Sequence, residues 1–115
     1  MPDFVYKVED AAVFEKAERE GVYVGAPIDL RDGFIHLSTA VQLPETLRLH
    51  FRGRGGLLLI ALRTAELGPD LKWEKSRGGD LFPHLYGRFD FRAVAWTAPI
   101  DVDADGNCAL PERLG

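Results

Sequence analysis

Leu57-Leu58-Leu59-Ile60-Ala61-Leu62 is the longest uninterrupted apolar run in the chain. It follows the glycine-rich loop Arg52-Gly53-Arg54-Gly55-Gly56 and reads as a strand buried on both faces. It falls far short of the ~20 residues that cross a bilayer. On its N-terminal side, Phe4-Val5-Tyr6-Lys7-Val8 reads as a short strand. Asp10 then stands as the N-cap of a helix over Ala11 to Glu20, with Val13, Phe14 and Ala17 on its apolar face and Gly21 as its C′ residue. Val22 to Pro27 reads as an extended connection, and Asp29-Leu30-Arg31-Asp32-Gly33 as a turn. Phe34 to Leu37 is a second strand. Ser38 or Thr39 caps a second helix, with Gln42 placed to complete a capping box from Thr39. Leu43, Leu47 and Phe51 recur at helical spacing, and Pro44 predicts a kink or a late start.

On the C-terminal side, Thr64 to Leu67 reads as one helical turn. Leu71 to Lys75 alternates as a half-buried strand does. Phe82 to Tyr86 and Phe91 to Thr97 follow as strands, and a terminal hairpin is expected around Asp105-Gly106. Two helices near the N-terminus and a strand-rich remainder argue an α+β fold and exclude a doubly wound parallel sheet. No Gly-x-Gly-x-x-Gly follows the first strand, and no Walker loop is present.

A chain of 115 residues is read as one domain, 1–115. Cys108 is the single cysteine, so no intrachain disulfide is expected. The net charge of −4 disfavours tight, sequence-independent nucleic-acid binding. Arg48, Arg52 and Arg54 still allow a local basic groove, and an RNA end stays open as a ligand. Met1-Pro2-Asp3-Phe4 shows no basic or apolar leader segment, so the expectation is a cytoplasmic protein without a membrane partner.

The chemistry concentrates in two stretches. Gly33-Phe34-Ile35-His36-Leu37-Ser38-Thr39 places a histidine and two hydroxyls in or just after a strand. If Ile35 and Leu37 face the core, His36 lies on the other face with Phe34 and Ser38. Trp73-Glu74-Lys75-Ser76-Arg77-Gly78-Gly79-Asp80-Leu81-Phe82-Pro83-His84-Leu85-Tyr86-Gly87 gathers a carboxylate, a hydroxyl, a second histidine and a phenol around a glycine loop. His84 shares a strand face with Phe82 and Tyr86, and Glu74 shares one with Ser76 if the strand continues. Polar groups in apolar strands are costly unless paired, so the two histidine segments suggest one cleft. The competing reading is two separately packed histidines and a solvated Glu74. Asp29 and Asp32 read as turn formers before site residues. A metal site would need three convergent ligands, and no His-x-His or His-x-x-x-His spacing supplies them. Ser38 and Ser76 lie outside any Gly-x-Ser-x-Gly elbow.

These same segments, with Val5-Tyr6-Lys7 and Gly21-x-Tyr23-x-Gly25 before them, resemble a bacterial family, domain of unknown function 952. The match runs over nearly the whole chain, and the two histidine motifs carry it. A more distant resemblance links Gly33 to Ser38 with a segment of the RNA 2′-phosphotransferases. That likeness implies the ADP-ribosyltransferase fold, a split and curved pair of small antiparallel sheets that grip NAD. The chain departs from that fold's pattern at Tyr6-Lys7, where a His or Arg is usual, and at Pro83-His84-Leu85-Tyr86, where a Glu or an Arg-His set is usual.

The resulting expectation is two N-terminal helices packed on small antiparallel sheets around a cleft for a nucleotide or ribose-phosphate ligand. NAD is the cofactor the resemblance implies. His36, Glu74 and His84 are the candidate catalytic residues, and Ser38, Thr39, Ser76 and Tyr86 the candidate ligand-binding residues. A non-catalytic ligand-binding or interaction domain and a metal-dependent hydrolase are the alternatives.

Overall fold

A computed structural model describes residues 2–112 and 114. The apolar run forms all but the last residue of β4 (Leu57–Arg63). β4 pairs antiparallel with β1 (Phe4–Asp10) on one side and with β8 (Val94–Ile100) on the other. Its alternate side chains enter two different cores. Ile60 and Leu62 join one buried cluster with Val5, Phe14 and Tyr23, while Leu57, Leu59 and Ala61 join another with Tyr6, Val8, Leu43 and Leu47. Full burial of each such side chain stabilises the fold by about 1.5–3 kcal/mol. This explains why six neighbours are apolar without alternation.

Helix α1 (Ala11–Glu20) buries Phe14 and Ala17 and ends at Gly21, whose φ of 87° lets its N–H reach back to Ala17 and Glu18. Asp10 does not cap it: its carboxylate pairs with Arg54 at 3.0 Å instead. The connection that follows also departs from expectation. After β2 (Val22–Tyr23), residues Pro27–Asp32 form a short helix, α2, rather than a turn. Pro27 opens it with a preset φ and no wasted donor. Asp29, its third residue, accepts the Ala26 N–H at 2.8 Å, as an acidic third residue does in a capping box. The N-terminal half therefore carries three helices, not two.

Strand β3 is short, Ile35–His36, and the segment beyond it is tied to β1 through a bridge between Tyr6 and Ser38. The expected capping box forms, with Thr39 N–H donating to Gln42 Oε1 at 3.0 Å and Gln42 N–H to Thr39 Oγ1 at 3.2 Å. The helix itself, α3 (Leu43–His50), starts late, with Pro44 in its first turn. A single turn, α4 (Thr64–Leu67), leads to β5 (Leu71–Lys75) and then β6 (Leu81–Leu85). β6 lies between β3 and β5 in an antiparallel sheet, and a third small sheet joins β2 to β7 (Phe89–Asp90). Residues 91–93 are a 3₁₀ turn rather than strand, so β8 begins only at Val94. The expected terminal hairpin is absent: Asp103 Oδ1 accepts the N–H groups of Asp105 and Asn107, which closes a side-chain turn around Gly106 with no strand pairing. The architecture is α+β with small antiparallel sheets. Among the described residues, no helix is long and apolar enough to cross a membrane.

Candidate functional site

The β3–β6 register sets His36 directly opposite His84. Residues opposite each other on antiparallel strands share a face, so two histidines 48 positions apart in sequence meet with ring centroids 5.8 Å apart. On the other face of this sheet Ile35, Leu37 and Leu85 enter the core, with Leu71 and Trp73 packed against them. β5 places Glu74 opposite Phe82, diagonal to His84. Glu74 Oε1 lies 2.8 Å from His84 Nδ1 and accepts the Tyr86 hydroxyl at 2.7 Å. Phe34 closes the group, stacked on His84 at 4.1 Å and tilted against His36 at 4.6 Å and Tyr86 at 5.3 Å. His36, Glu74, His84 and Tyr86 thus converge, and Phe34 is the wall they share.

The two imidazoles sit in different surroundings. The His84 ring is 8% exposed beside Glu74 at 41%. With Nδ1–H donating to Glu74, Nε2 of His84 is the basic nitrogen. Hydrogen bonds from Tyr86 and from His84 hold the Glu74 carboxyl below its usual range, and the same bond to Glu74 pushes the Tyr86 phenol up. The His36 ring, 36% exposed, is gripped at both ends: Nδ1 lies 2.6 Å from Asp29 Oδ1 and Nε2 lies 3.0 Å from Asp32 Oδ2.

Asp29 is the anchor beneath. Its side chain is 1% exposed and faces Lys7, at 6% exposed, across 2.7 Å. It also accepts the backbone N–H of Ala26 and of His36, while Lys7 Nζ donates to the His36 carbonyl at 3.3 Å. Burial works against the Asp29 charge, but hydrogen bonding from His36, the Lys7 ammonium and the Ala26 N–H outweigh it and hold the carboxyl at about 2. A buried carboxylate so satisfied is a rigid support for an imidazole. A second buried pair lies beside it on β1, where Glu9 Oε2 accepts the Tyr23 hydroxyl at 2.5 Å. Burial and then that bond drive the Tyr23 phenol far above its ordinary value.

Three expected site residues lie elsewhere. Ser38 is buried with its hydroxyl 2.9 Å from Thr46 on α3. Thr39 is engaged in the capping box. β5 ends at Lys75, so Ser76 leaves the face of Glu74; its backbone N–H closes a turn onto the Asp80 carbonyl. Conversely, the sequence motifs do not single out Lys7, and Asp29 and Asp32 read from sequence as turn formers. The available signal was parity: Lys7 shares the inward strand face with Val5, where a lysine needs a buried acid. Among the described residues no group of three or more His, Cys, Asp or Glu is arranged to hold a metal ion.

Residues 8–97 match the family model described as Protein of unknown function (DUF952). The crystal structure of protein CC0527 from Caulobacter crescentus is 44% identical, covers 96% of this chain and 97% of its own, and superposes with a TM-score of 0.90. A double mutant of that protein gives 43% identity, the same coverage and a TM-score of 0.89. Its solution NMR structure gives 45% identity, 91% and 90% coverage and a TM-score of 0.80. No curated protein matches the chain.

Proposed function

The chain belongs to the DUF952 family, and from that premise we propose that the face bearing Phe34, His36, Glu74, His84 and Tyr86 binds a ribose-phosphate ligand of the NAD or ADP-ribose class and supports cleavage of its glycosidic bond. The observation that carries the reading is the pairing of two imidazoles, each backed by its own acid, around a half-exposed Glu74. Asp29 faces Lys7 and Asp32 faces Arg31, while Glu74 meets His84 and Tyr86 within hydrogen-bonding distance. A carboxylate placed as Glu74 is favours positive charge on a reacting sugar.

The roles follow from side-chain chemistry. The carbon–nitrogen bond of the ribosyl group breaks, and its electron pair leaves with the base. The sugar is then cationic, and Glu74 faces it. Water or an acceptor hydroxyl adds to the sugar carbon and loses its proton to Nε2 of His84, the nitrogen that Glu74 leaves basic. Tyr86, exposed at the rim, stacks on the base. The resemblance of the segment Gly33 to Ser38 to the RNA 2′-phosphotransferases points to the same ligand class.

A specific observation favours a second reading, a binding domain without turnover: Phe34 covers much of His84. Calorimetry with NAD, ADP-ribose and 2′-phosphorylated RNA, on wild type, His36→Ala and Glu74→Gln, separates them. The proposal expects heat with at least one ligand, loss of that heat in His36→Ala, and ligand turnover that Glu74→Gln abolishes. Binding without turnover leaves the second reading, and no heat with any ligand removes both.

A further inference from the structure

The exposed end of His36 is already occupied. Its Nδ1 is fixed by Asp29, a carboxylate with four partners and no access to solvent. Its Nε2 lies 3.0 Å from Asp32 Oδ2. Asp32 differs from Asp29 in every respect that matters for permanence. It is the last residue of the short helix α2, it is 30% exposed, and Gly33 with φ of 86° follows it. Its other oxygen already has a second partner, Arg31 Nε at 3.0 Å, on a side chain that is itself largely in solvent. Asp32 therefore loses little by leaving His36, because Arg31 and water can hold its charge, whereas its departure opens Nε2 of His36 to another partner.

We propose that Asp32 is a stand-in for an anionic oxygen of the ligand: its carboxylate sits at His36 Nε2, and a ligand phosphate displaces it. The inference rests on the ligand class proposed above and adds which group of the ligand binds where. The phosphate takes His36 Nε2, so the ribose falls to Glu74 and the His84 side. It also gives the cleft a threshold. A neutral hydroxyl competes poorly with a carboxylate for an imidazole N–H, while an anionic oxygen competes on equal terms. Selection for phosphorylated over plain nucleosides follows from the plug itself.

The test follows the histidine ring nitrogens by NMR while inorganic phosphate, ADP-ribose and adenosine are titrated into wild type, Asp32→Ala and Asp32→Asn. Removing an exposed competitor of this kind tightens anion binding about two- to five-fold. The expected result is a shift of His36 Nε2 on adding ADP-ribose or phosphate, binding two- to five-fold tighter in Asp32→Ala, and no such shift with adenosine. Asp32→Asn, which keeps an acceptor without the charge, falls between. A shift with phosphate alone would uphold the plug and fail the ADP-ribose reading. Binding of ADP-ribose that leaves His36 Nε2 unmoved, or that weakens in Asp32→Ala, would overturn the plug and keep the reading. No response of His36 in any variant, even with Asp32 removed, would overturn the plug outright.

Discussion

Converting Lys7 to Met and Asp29 to Asn, singly and together, probes the support on which His36 stands. The ammonium and carboxylate are 2.7 Å apart and nearly sealed from water. At an effective dielectric of about 20 their attraction is roughly 6 kcal/mol. Desolvation consumes several kcal/mol for each ion, so the gross figure is not the net one. The Asp29 carboxyl is held at about 2, against an ordinary 3.8. That difference makes ionised Asp29 worth about 2 kcal/mol to the folded state at neutral pH. Removing one partner does more harm than removing both, because it strands the other charge. Each single variant should lose about 3–5 kcal/mol, and the double variant clearly less than the sum of the two. Urea denaturation followed by circular dichroism reads this as a midpoint drop of roughly 2 M for each single variant. The pH dependence has a fixed sign. A depressed carboxyl contributes its stability above the unfolded value of 3.8 and gives it up as pH falls through about 2. Wild type should therefore lose stability across that window, and Asp29→Asn should lack this part of the decline. Single variants within about 0.5 kcal/mol of wild type, or strictly additive losses, would show that the pair is not the anchor described.

Tyr86→Phe removes the largest influence depressing Glu74, so the Glu74 carboxyl should titrate higher, toward its ordinary range, as followed by carboxyl carbon NMR; an unchanged titration would mean the hydroxyl bond does not form in solution. Gly25→Ala puts a methyl group 2.8 Å from Asp29 Cβ at a φ of 118°, so it should cost about 2 kcal/mol or more in urea denaturation and disturb the His36 ring resonances; neutrality would contradict the packing around Asp29.

Strand parity was the part of the site that could be read from sequence. Alternation placed Phe34 with His36 and Phe82 with His84 and Tyr86, and these do share one face. Alternation cannot give the register between remote strands, so the direct opposition of His36 and His84 was open until the pairing of β3 with β6 was known. The helix over Pro27–Asp32 was missed because a six-residue segment rich in turn formers carries almost no periodicity. What stabilises it is tertiary: Asp29 bonds to Lys7 and His36 as well as to its own first turn. The same omission hid the role of Asp32. Ser76 leaves the face of Glu74 because the strand ends at Lys75, as its alternation indicates, and the backbone then turns toward Gly78 at φ 67°.

A crystal structure of the protein with ADP-ribose bound would address the proposed site itself. The account expects the ribose hydroxyls against Glu74, a phosphate oxygen at His36 Nε2 with Asp32 swung toward Arg31, and the His84 ring within hydrogen-bonding reach of the sugar. Ligand bound on another surface, with Asp32 still on His36 and Phe34 still sealing His84, would leave the two histidines as packing residues and contradict it.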